Sequence, residues 1–424
     1  MDNITITLLW LGFAVVMFAW EKVPLSVTAM IVCIGLIVTG VLTPAQGFAG
    51  FVTGTVILFV SMFIVGGALF ETGMANQIGG LIIKLKFIKS ERQIMLTVMV
   101  FGGIMSLFLS NTGTAAIMIP IIAGVANMTG VPRGKLFIPL VFAITMGGLI
   151  SLIGSPPNLI AHEALEAATG TGFSFFEYGR FGVPFLIVGI LYFVTIGYRF
   201  LPNRADSKEE VKQTDFSHIP ARRKNLSLII LLATVLGMIF QPQIGLPLHV
   251  ISSIGAILLV VLGVINEQQA FKAIDLKVVF LFSGTLALGT ALETTGAGYT
   301  IASAVIGLLG ENPSPRVLLL AILIISGSLT QFMSSTATAA LLVPVSLSIA
   351  QAIGADPRAV MVATVAGVTL SFVTPIATPP NIMVLTIGGY KFSDFVKAGL
   401  PLFIIGFVLA FILIPILFPF FPNG

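Results

Sequence analysis

The sequence predicts an all-α polytopic membrane protein made of two inverted repeats. Each repeat holds five transmembrane helices plus one re-entrant hairpin, with broken helices at the centre. Three observations carry this prediction: apolar runs along the whole length, a repeat of near-constant spacing, and a one-sided distribution of basic residues. Hydrophobic residues make up 57% of 424 and charged residues 9%, with a mean hydropathy of +1.08. A soluble domain carries roughly 25% charged residues, so a large water-soluble protein is excluded. The single cysteine, Cys33, excludes a disulfide framework and a cysteine-based metal cluster. A net charge of +4 would suit an anionic polymer, but the placement of the basic residues explains it better, and no nucleic acid is expected as partner. The first apolar run follows Met1-Asp2-Asn3 with no basic region before it and no small-residue cleavage site after it. It reads as a retained span rather than a signal peptide.

Apolar segments fall at about 5–20, 25–44, 51–72, 93–127, 136–168, 181–200, 225–240, 246–265, 278–295, 317–350, 359–390 and 399–421. A helix needs about 20 apolar residues to cross the hydrocarbon core. The segments at 93–127 and 317–350 read as paired arms around two polar stretches, Ser110-Asn111-Thr112 and Ser334-Ser335-Thr336. Those at 136–168 and 359–390 are too long for one span. They are interrupted by Gly154-Ser155-Pro156-Pro157-Asn158 and Ala377-Thr378-Pro379-Pro380-Asn381. Consecutive prolines cannot continue a helix interior, so each reads as two half-helices around an unwound loop.

The halves are related. Pro24 pairs with Pro247, Gly40 with Gly263 and Phe48 with Phe271, each 223 residues apart. Glu71-Thr72-Gly73 echoes Glu293-Thr294-Thr295-Gly296, and Pro132-Arg133 echoes Pro357-Arg358. Five crossings per repeat is an odd number, so the second copy enters from the opposite side. The basic residues test this. With the N-terminus outside, 18 of them fall inside, including Lys22, Lys84, Lys86, Lys89, Lys272, Lys277 and those of the 199–224 stretch; only Arg180, Arg316 and Arg358 fall outside. The positive-inside rule then places the linker 201–224 in the cytoplasm of a multi-pass protein of the cell (inner) membrane. Hairpins and pairs of full crossings both preserve this parity. The hairpin is preferred because full crossings would leave Ser-Asn-Thr at a surface, where those residues need no explanation.

Two hairpin tips entering from opposite faces can meet two broken helices near the midplane. Helix N-termini offer N–H groups and partial positive charge to an anion, while unwound carbonyls and hydroxyls offer oxygens to a small hard cation. Neither tip nor either Pro-Pro-Asn loop contains a charged residue. An anion flanked by cations follows from the backbone. Single hydroxyls in membrane helices commonly bond only a neighbouring carbonyl, yet two matched clusters, each followed by Pro-Pro-Asn, favour a site. Glu71 and Glu293 read as contacts between scaffold helices. His162 and Glu163 leave a proton role open, His218 and His249 look ordinary, and Trp10, Trp20 and Tyr178 read as interfacial anchors.

At these motifs the sequence resembles the divalent-anion/sodium symporter family, within a larger ion transporter superfamily, over essentially the whole chain. The resemblance implies a homodimer in which transport elements (93–200 and 313–424) move like an elevator against scaffold helices (1–92 and 225–312). Repeats 1–200 and 225–424 flank the linker 201–224. Sodium is the implied coupling ion. One site would use Ser106, Ser110, Asn111 and Gly154; the other Thr330, Met333, Ser335 and Ala377, with Met333 and Ala377 acting through their carbonyls. Substrate would be contacted by Asn111, Thr112, Ser335 and Thr336, with Thr378 and Pro379 lining the pocket. The family usually has Asn where this chain has Ser335, and serine offers one donor where an amide offers two. The expected activity is sodium-coupled symport of a small divalent anion, foremost a C4-dicarboxylate. A sulfate or other oxyanion carrier, an exchanger, a proton-coupled carrier and a passive channel stay open. An intramembrane enzyme would need a nucleophile–base or metal constellation at depth, which Cys33 and three scattered histidines do not make.

Overall fold

A computed structural model describes residues 1–20, 22–84, 90–203, 216, 219–309 and 314–421, and its regular elements are all helical. Lys86, Lys89, His218 and most of the linker, 204–215, lie outside the described residues. The first half runs α1 (Asn3–Trp20), α2 (Leu25–Val38), α3 (Pro44–Phe48), α4 (Gly54–Glu71), α5 (Met74–Lys84), α6 (Glu91–Ser106), α7 (Asn111–Thr129), α8 (Phe137–Gly148), α9 (Pro156–Thr169) and α10 (Gly179–Thr195). The second half is α11 (Ala221–Ile239), α12 (Gln241–Ile244), α13 (Leu248–Val261), α14 (Glu267–Ala273), α15 (Leu276–Thr295), α16 (Ala297–Leu309), α17 (Pro315–Leu329), α18 (Ser335–Ile353), α19 (Pro357–Thr369), α20 (Pro379–Ile387) and α21 (Phe392–Leu417). Apart from the short α12, the order matches element by element. Among the described residues, six helical spans are long and apolar enough to cross a membrane unaided, as befits a multi-pass protein.

The sequence anchors now have local causes. Gly40 and Gly263 follow α2 and α13 at φ of +75° and +65°, a backbone region that L side chains avoid. Thr43 and Gln46 form a capping box that starts α3, and Asn266 and Gln269 form the equivalent box at α14. The sequence reading has no helix at α5 or α16, nor at the shorter α3, α12 and α14. The first two follow directly on a glycine turn, so their apolar faces merge with the spans before them. Tyr178 corrects another expectation. It is not an interfacial anchor: it is 1% exposed and its hydroxyl donates to Asn158 O at 3.1 Å. Trp20 is 58% exposed, with the Lys22 ammonium 4.6 Å from its ring centre.

Packing divides the helices into two sets. In the first, α2 packs on α15 and α13 on α4, so each half covers the other's scaffold helix. Phe59 and Phe282, 223 positions apart, meet edge-on at 5.1 Å. In the second, α6 packs on α8 and α17 on α19, and every residue of α8 is buried. Cross-half bonds hold this second set together. Tyr192 donates to Ala398 O at 2.9 Å, Arg358 donates to both carboxylate oxygens of Glu177 at 2.8 Å, and Tyr390 donates to Gly134 O at 2.9 Å.

A Cβ added at Gly147 would lie 2.3 Å from Gly103 O, whereas one at Gly12 would meet nothing within 4 Å. Gly147→Ala is therefore expected to force α6 and α8 apart at a cost of about 1–3 kcal/mol. A thermal melt in detergent should show a lowered midpoint for it and an unchanged one for Gly12→Ala.

Candidate functional site

The two paired-arm segments break at the predicted motifs. Ser110 caps α7 by accepting the Gly113 N–H at 3.2 Å, and Ser334 caps α18 by accepting the Ala337 N–H at 3.2 Å. Each motif is thus an N-cap followed by the first residues of a helix, which is why serine leads both. The Pro-Pro-Asn stretches differ from expectation in one respect. The unwound segments are 149–155 and 370–378, and the prolines are the first residues of α9 and α20. Proline's fixed φ suits that position, and its missing N–H would have been unpaired there. Consequently α9 and α20 direct positive helix ends inward with few free donors, and the available N–H groups sit on α7 and α18.

Asparagine holds each unwound segment in place. Asn158 Nδ2 donates to Gly148 O and Ser151 O at 2.8 and 2.7 Å; Asn381 Nδ2 donates to Ser371 O and Thr374 O at 3.2 and 3.3 Å. Ser151 donates to Leu107 O, and Thr374 to Gln331 O at 2.6 Å, tying each unwound segment to its neighbouring tip. The same bonds thus recur at equivalent positions in both halves.

All six residues expected at the substrate line one cavity of about 660 Å³: Asn111, Thr112, Ser335, Thr336, Thr378 and Pro379. The tips and the starts of α9 and α20 contribute no charge to its wall, whose charged residues are Glu71, Lys272, Asp275 and Lys277. Thr378 Oγ1 is buried and has no partner among the described residues. Such a hydroxyl costs about 1–3 kcal/mol unless a ligand oxygen satisfies it. The scaffold approaches through Phe70, whose ring would meet a Cβ on Gly113 at 2.7 Å.

Of the expected cation ligands, Ser110 lines the cavity while Ser106, Thr330, Met333 and Ala377 are buried behind it. Ser106 Oγ lies 2.6 Å from the Asn111 side-chain oxygen. With its oxygen in that orientation, Asn111 faces only acceptors; turned over, its nitrogen donates to Ile144 O and Gly154 O at 3.2 Å and to Ser106 Oγ at 2.6 Å. Amide orientation is an assignment, and the two orientations describe two chemistries. One closes the cluster by hydrogen bonds. The other gathers oxygens from Ser106, Asn111, Ile144 and Gly154 around a point that a small hard cation would occupy. Gly154 has to be glycine, since a Cβ there would lie 2.6 Å from Gly148 O and 2.7 Å from Ser106 O. Among the described residues, no three His, Cys, Asp or Glu side chains cluster to hold a metal.

Glu71, His162 and His249 have structural contacts. Gln269 donates to Glu71 at 2.8 Å, joining α14 to α4 as a scaffold contact. His162 Nδ1 accepts the Phe173 N–H at 2.9 Å and so holds the turn after α9. His249 packs against Gly54, and Glu293 is exposed. Sequence reasoning missed Ile144, whose contribution is a carbonyl that no side-chain pattern reveals. It also missed Ser151 and Thr374, which extending the 223-residue pairing would have found. Gln331 has Leu107 as its counterpart and left no repeat signal.

With this geometry in place, a family model described as a citrate transporter (CitMHS) matches residues 15–367. The chain belongs to this citrate transporter family. That family lies within the divalent anion/sodium symporter superfamily to which the motifs pointed. A sodium-dependent dicarboxylate transporter of Staphylococcus saprophyticus is 26% identical, over 94% of this chain and 84% of the relative. Uncharacterized transporters of Haemophilus influenzae (28% identical, 92% and 86% covered) and Synechocystis (24% identical, 95% and 95% covered) are also similar. The fold is shared with the Alcanivorax borkumensis YdaH transporter, with a TM-score of 0.65 at 16% identity and coverage of 95% and 98%. Neisseria gonorrhoeae MtrF gives a TM-score of 0.63 at 13% identity, covering 100% and 96%. The chain is a membrane transporter, and its family and structural neighbours are transporters rather than enzymes.

Removing either asparagine frees two buried carbonyls, each worth about 1–3 kcal/mol when left unpaired. Asn158→Ala and Asn381→Ala are both expected to lower the melting midpoint. Asn158→Ala should lower it further, because its bonds are about half an ångström shorter.

Proposed function

We propose that this member of the citrate transporter family is a secondary active transporter, coupling sodium to the symport of a small divalent anion, foremost a C4-dicarboxylate. The observation that carries the reading is the convergence of four helix N-termini, α7, α9, α18 and α20, on one cavity whose tips bear no charge. N–H groups of α7 and α18 suit two carboxylates held apart, with the hydroxyls of Thr112, Thr336 and Thr378 as further donors. Dipole ends alone offset only part of two negative charges, and a cation at the Asn111 cluster supplies the rest. The sodium-dependent dicarboxylate relative points the same way. A sulfate or other oxyanion carrier is the runner-up, since the same N–H groups suit a tetrahedral dianion.

Movement in this reading is of the elevator type, with re-entrant hairpins carried by the transport elements. In its favour, the tips and broken helices belong to the second packing set and meet the first through small residues. Gly66 faces Leu109, Gly289 faces Pro344 and Gly298 faces Ser348. Glycine at a sliding contact removes side chains that would interlock. The cavity wall reaches Pro24, Lys272 and Lys277, residues that the positive-inside rule assigns to the cytoplasm, so the conformation reads as inward-facing. A homodimer formed through scaffold helices completes the reading and rests on the family resemblance.

Proteoliposomes should accumulate labelled succinate only under an inward sodium gradient, with unlabelled malate and fumarate competing better than citrate or sulfate. Sulfate competing best would instead support the runner-up. Asn111→Ala is expected to cut initial uptake by tenfold or more, as loss of one charge-assisted bond of about 1.5–3 kcal/mol requires. For orientation, Lys277→Cys should react with an impermeant maleimide from the cytoplasmic face and Arg316→Cys from the outer face. The buried Cys33 should stay silent.

A further inference from the structure

The two halves build the same frame and fill it differently. Ser106 and Thr330, Asn111 and Ser335, and Gly154 and Ala377 occupy equivalent positions beside the two tips. In the first half, the Asn111 side chain spans the gap from the tip to α8 and the unwound segment: its terminal amide lies 3.2 Å from Ile144 O and Gly154 O, and turning that amide exchanges its hydrogen bonds for an oxygen directed at the same point. In the second half, serine is too short to do so, and the tip closes directly onto the segment. The Ser335 backbone N–H donates to Ala377 O at 3.1 Å, and Ser335 Oγ donates to the same oxygen at 3.3 Å. Thr330 Oγ1 donates to Val368 O at 2.9 Å and contacts Ser335 Oγ at 3.2 Å.

These bonds decide what the second cluster can hold. A cation needs lone pairs directed at a common point, and here Ala377 O already accepts two donors, one of them a backbone N–H that no rotamer change removes. A cation placed there would meet hydrogen atoms rather than free oxygen. The residue at 377 adds to this: it carries a methyl group where Gly154 lies bare against the backbone of Gly148 and Ser106. Gln331 completes the closure. Its Nε2 donates to Gly327 O and Leu370 O at 2.8 and 2.7 Å, and its Oε1 accepts the Val373 N–H at 3.0 Å. Gln331 thus adds three hydrogen bonds around the second unwound segment that its counterpart Leu107 has no side-chain group to make.

We infer that this transporter binds one coupling cation per anion, at the Asn111 cluster, and that hydrogen bonds from Ser335 and Gln331 hold the second half-site in the place of a second ion. The inference rests on the sodium-coupled reading above and sets its stoichiometry. A dianion loaded with one monovalent cation leaves the complex with a net negative charge, in contrast to a neutral complex with two.

The test uses the full chain, with sodium chloride against choline chloride as the probe. Sodium dependence is read both as a shift in melting temperature without substrate and as initial uptake in proteoliposomes. Uptake should rise hyperbolically with sodium, with a Hill coefficient near one. The sodium-induced melting shift should vanish in Asn111→Ala and persist in Thr330→Val, although the latter melts lower overall. Ser335→Asn, which returns a spanning amide to the second tip, should make the sodium dependence sigmoidal. A sigmoidal wild-type curve that Thr330→Val turns hyperbolic would overturn the inference while leaving sodium coupling intact. A wild-type chain indifferent to sodium in both measurements would overturn the inference and the coupling together. The Thr330→Val comparison decides the matter even if Ser335→Asn does not fold.

Discussion

Unwound backbone inside a bilayer must satisfy its own polar groups, because lipid offers no partners. The architecture depends on how Asn158 and Asn381 meet that constraint. Asn381 places its amide nitrogen between two carbonyls of the unwound stretch before its own helix, and Asn158 between one such carbonyl and that of Gly148 at the end of α8. This allows α8 and α19, the most deeply buried helices, to stop short and a new helix to begin at depth. With the breaks supported, the starts of α9 and α20 can face the starts of α7 and α18. Without that support, no polar cavity could form among helices this apolar.

The site has an electrostatic economy that follows from its backbone origin. Helix ends supply partial charges fixed in space, so the cavity needs no Lys or Arg at the tips and leaves no uncompensated charge when empty. The paired prolines take part in this. By removing N–H groups from α9 and α20 they reserve hydrogen bonding for α7 and α18, one from each half, whose first residues line the same cavity. In the proposed reading, anion recognition is shared between elements 224 residues apart in sequence, so neither half would form the site alone.

Much of this was legible in the sequence because the physics is local. Uncharged apolar length announces spans, polar stretches between apolar arms announce the two tips, and Pro-Pro announces a break, though not that the prolines themselves begin the next helix. The 223-residue anchor Gly40 with Gly263 became a pair of turns, and the same offset relates two capping boxes, at Gln46 and Gln269, that the sequence analysis did not single out. What stayed hidden was tertiary. Ile144 acts through a carbonyl that every residue possesses. Tyr178 has the amphipathic chemistry of a membrane-surface residue, yet its hydroxyl finds Asn158 O within the core. The short helices α5 and α16 have too few apolar residues of their own to stand apart from the spans before them. The Ser335 substitution was visible as a departure, but the closure of Ala377 onto it follows from packing and not from residue type.

The exchange of partners in the scaffold, α2 on α15 and α13 on α4, bears on how the chain is made. During synthesis α2 and α4 enter the membrane long before the helices that cover them exist. Until then their small-residue faces, such as the Ala29 surface that receives Gly284, lie against lipid. The scaffold's packing is therefore completed only when the second half arrives, so the two halves cannot mature independently.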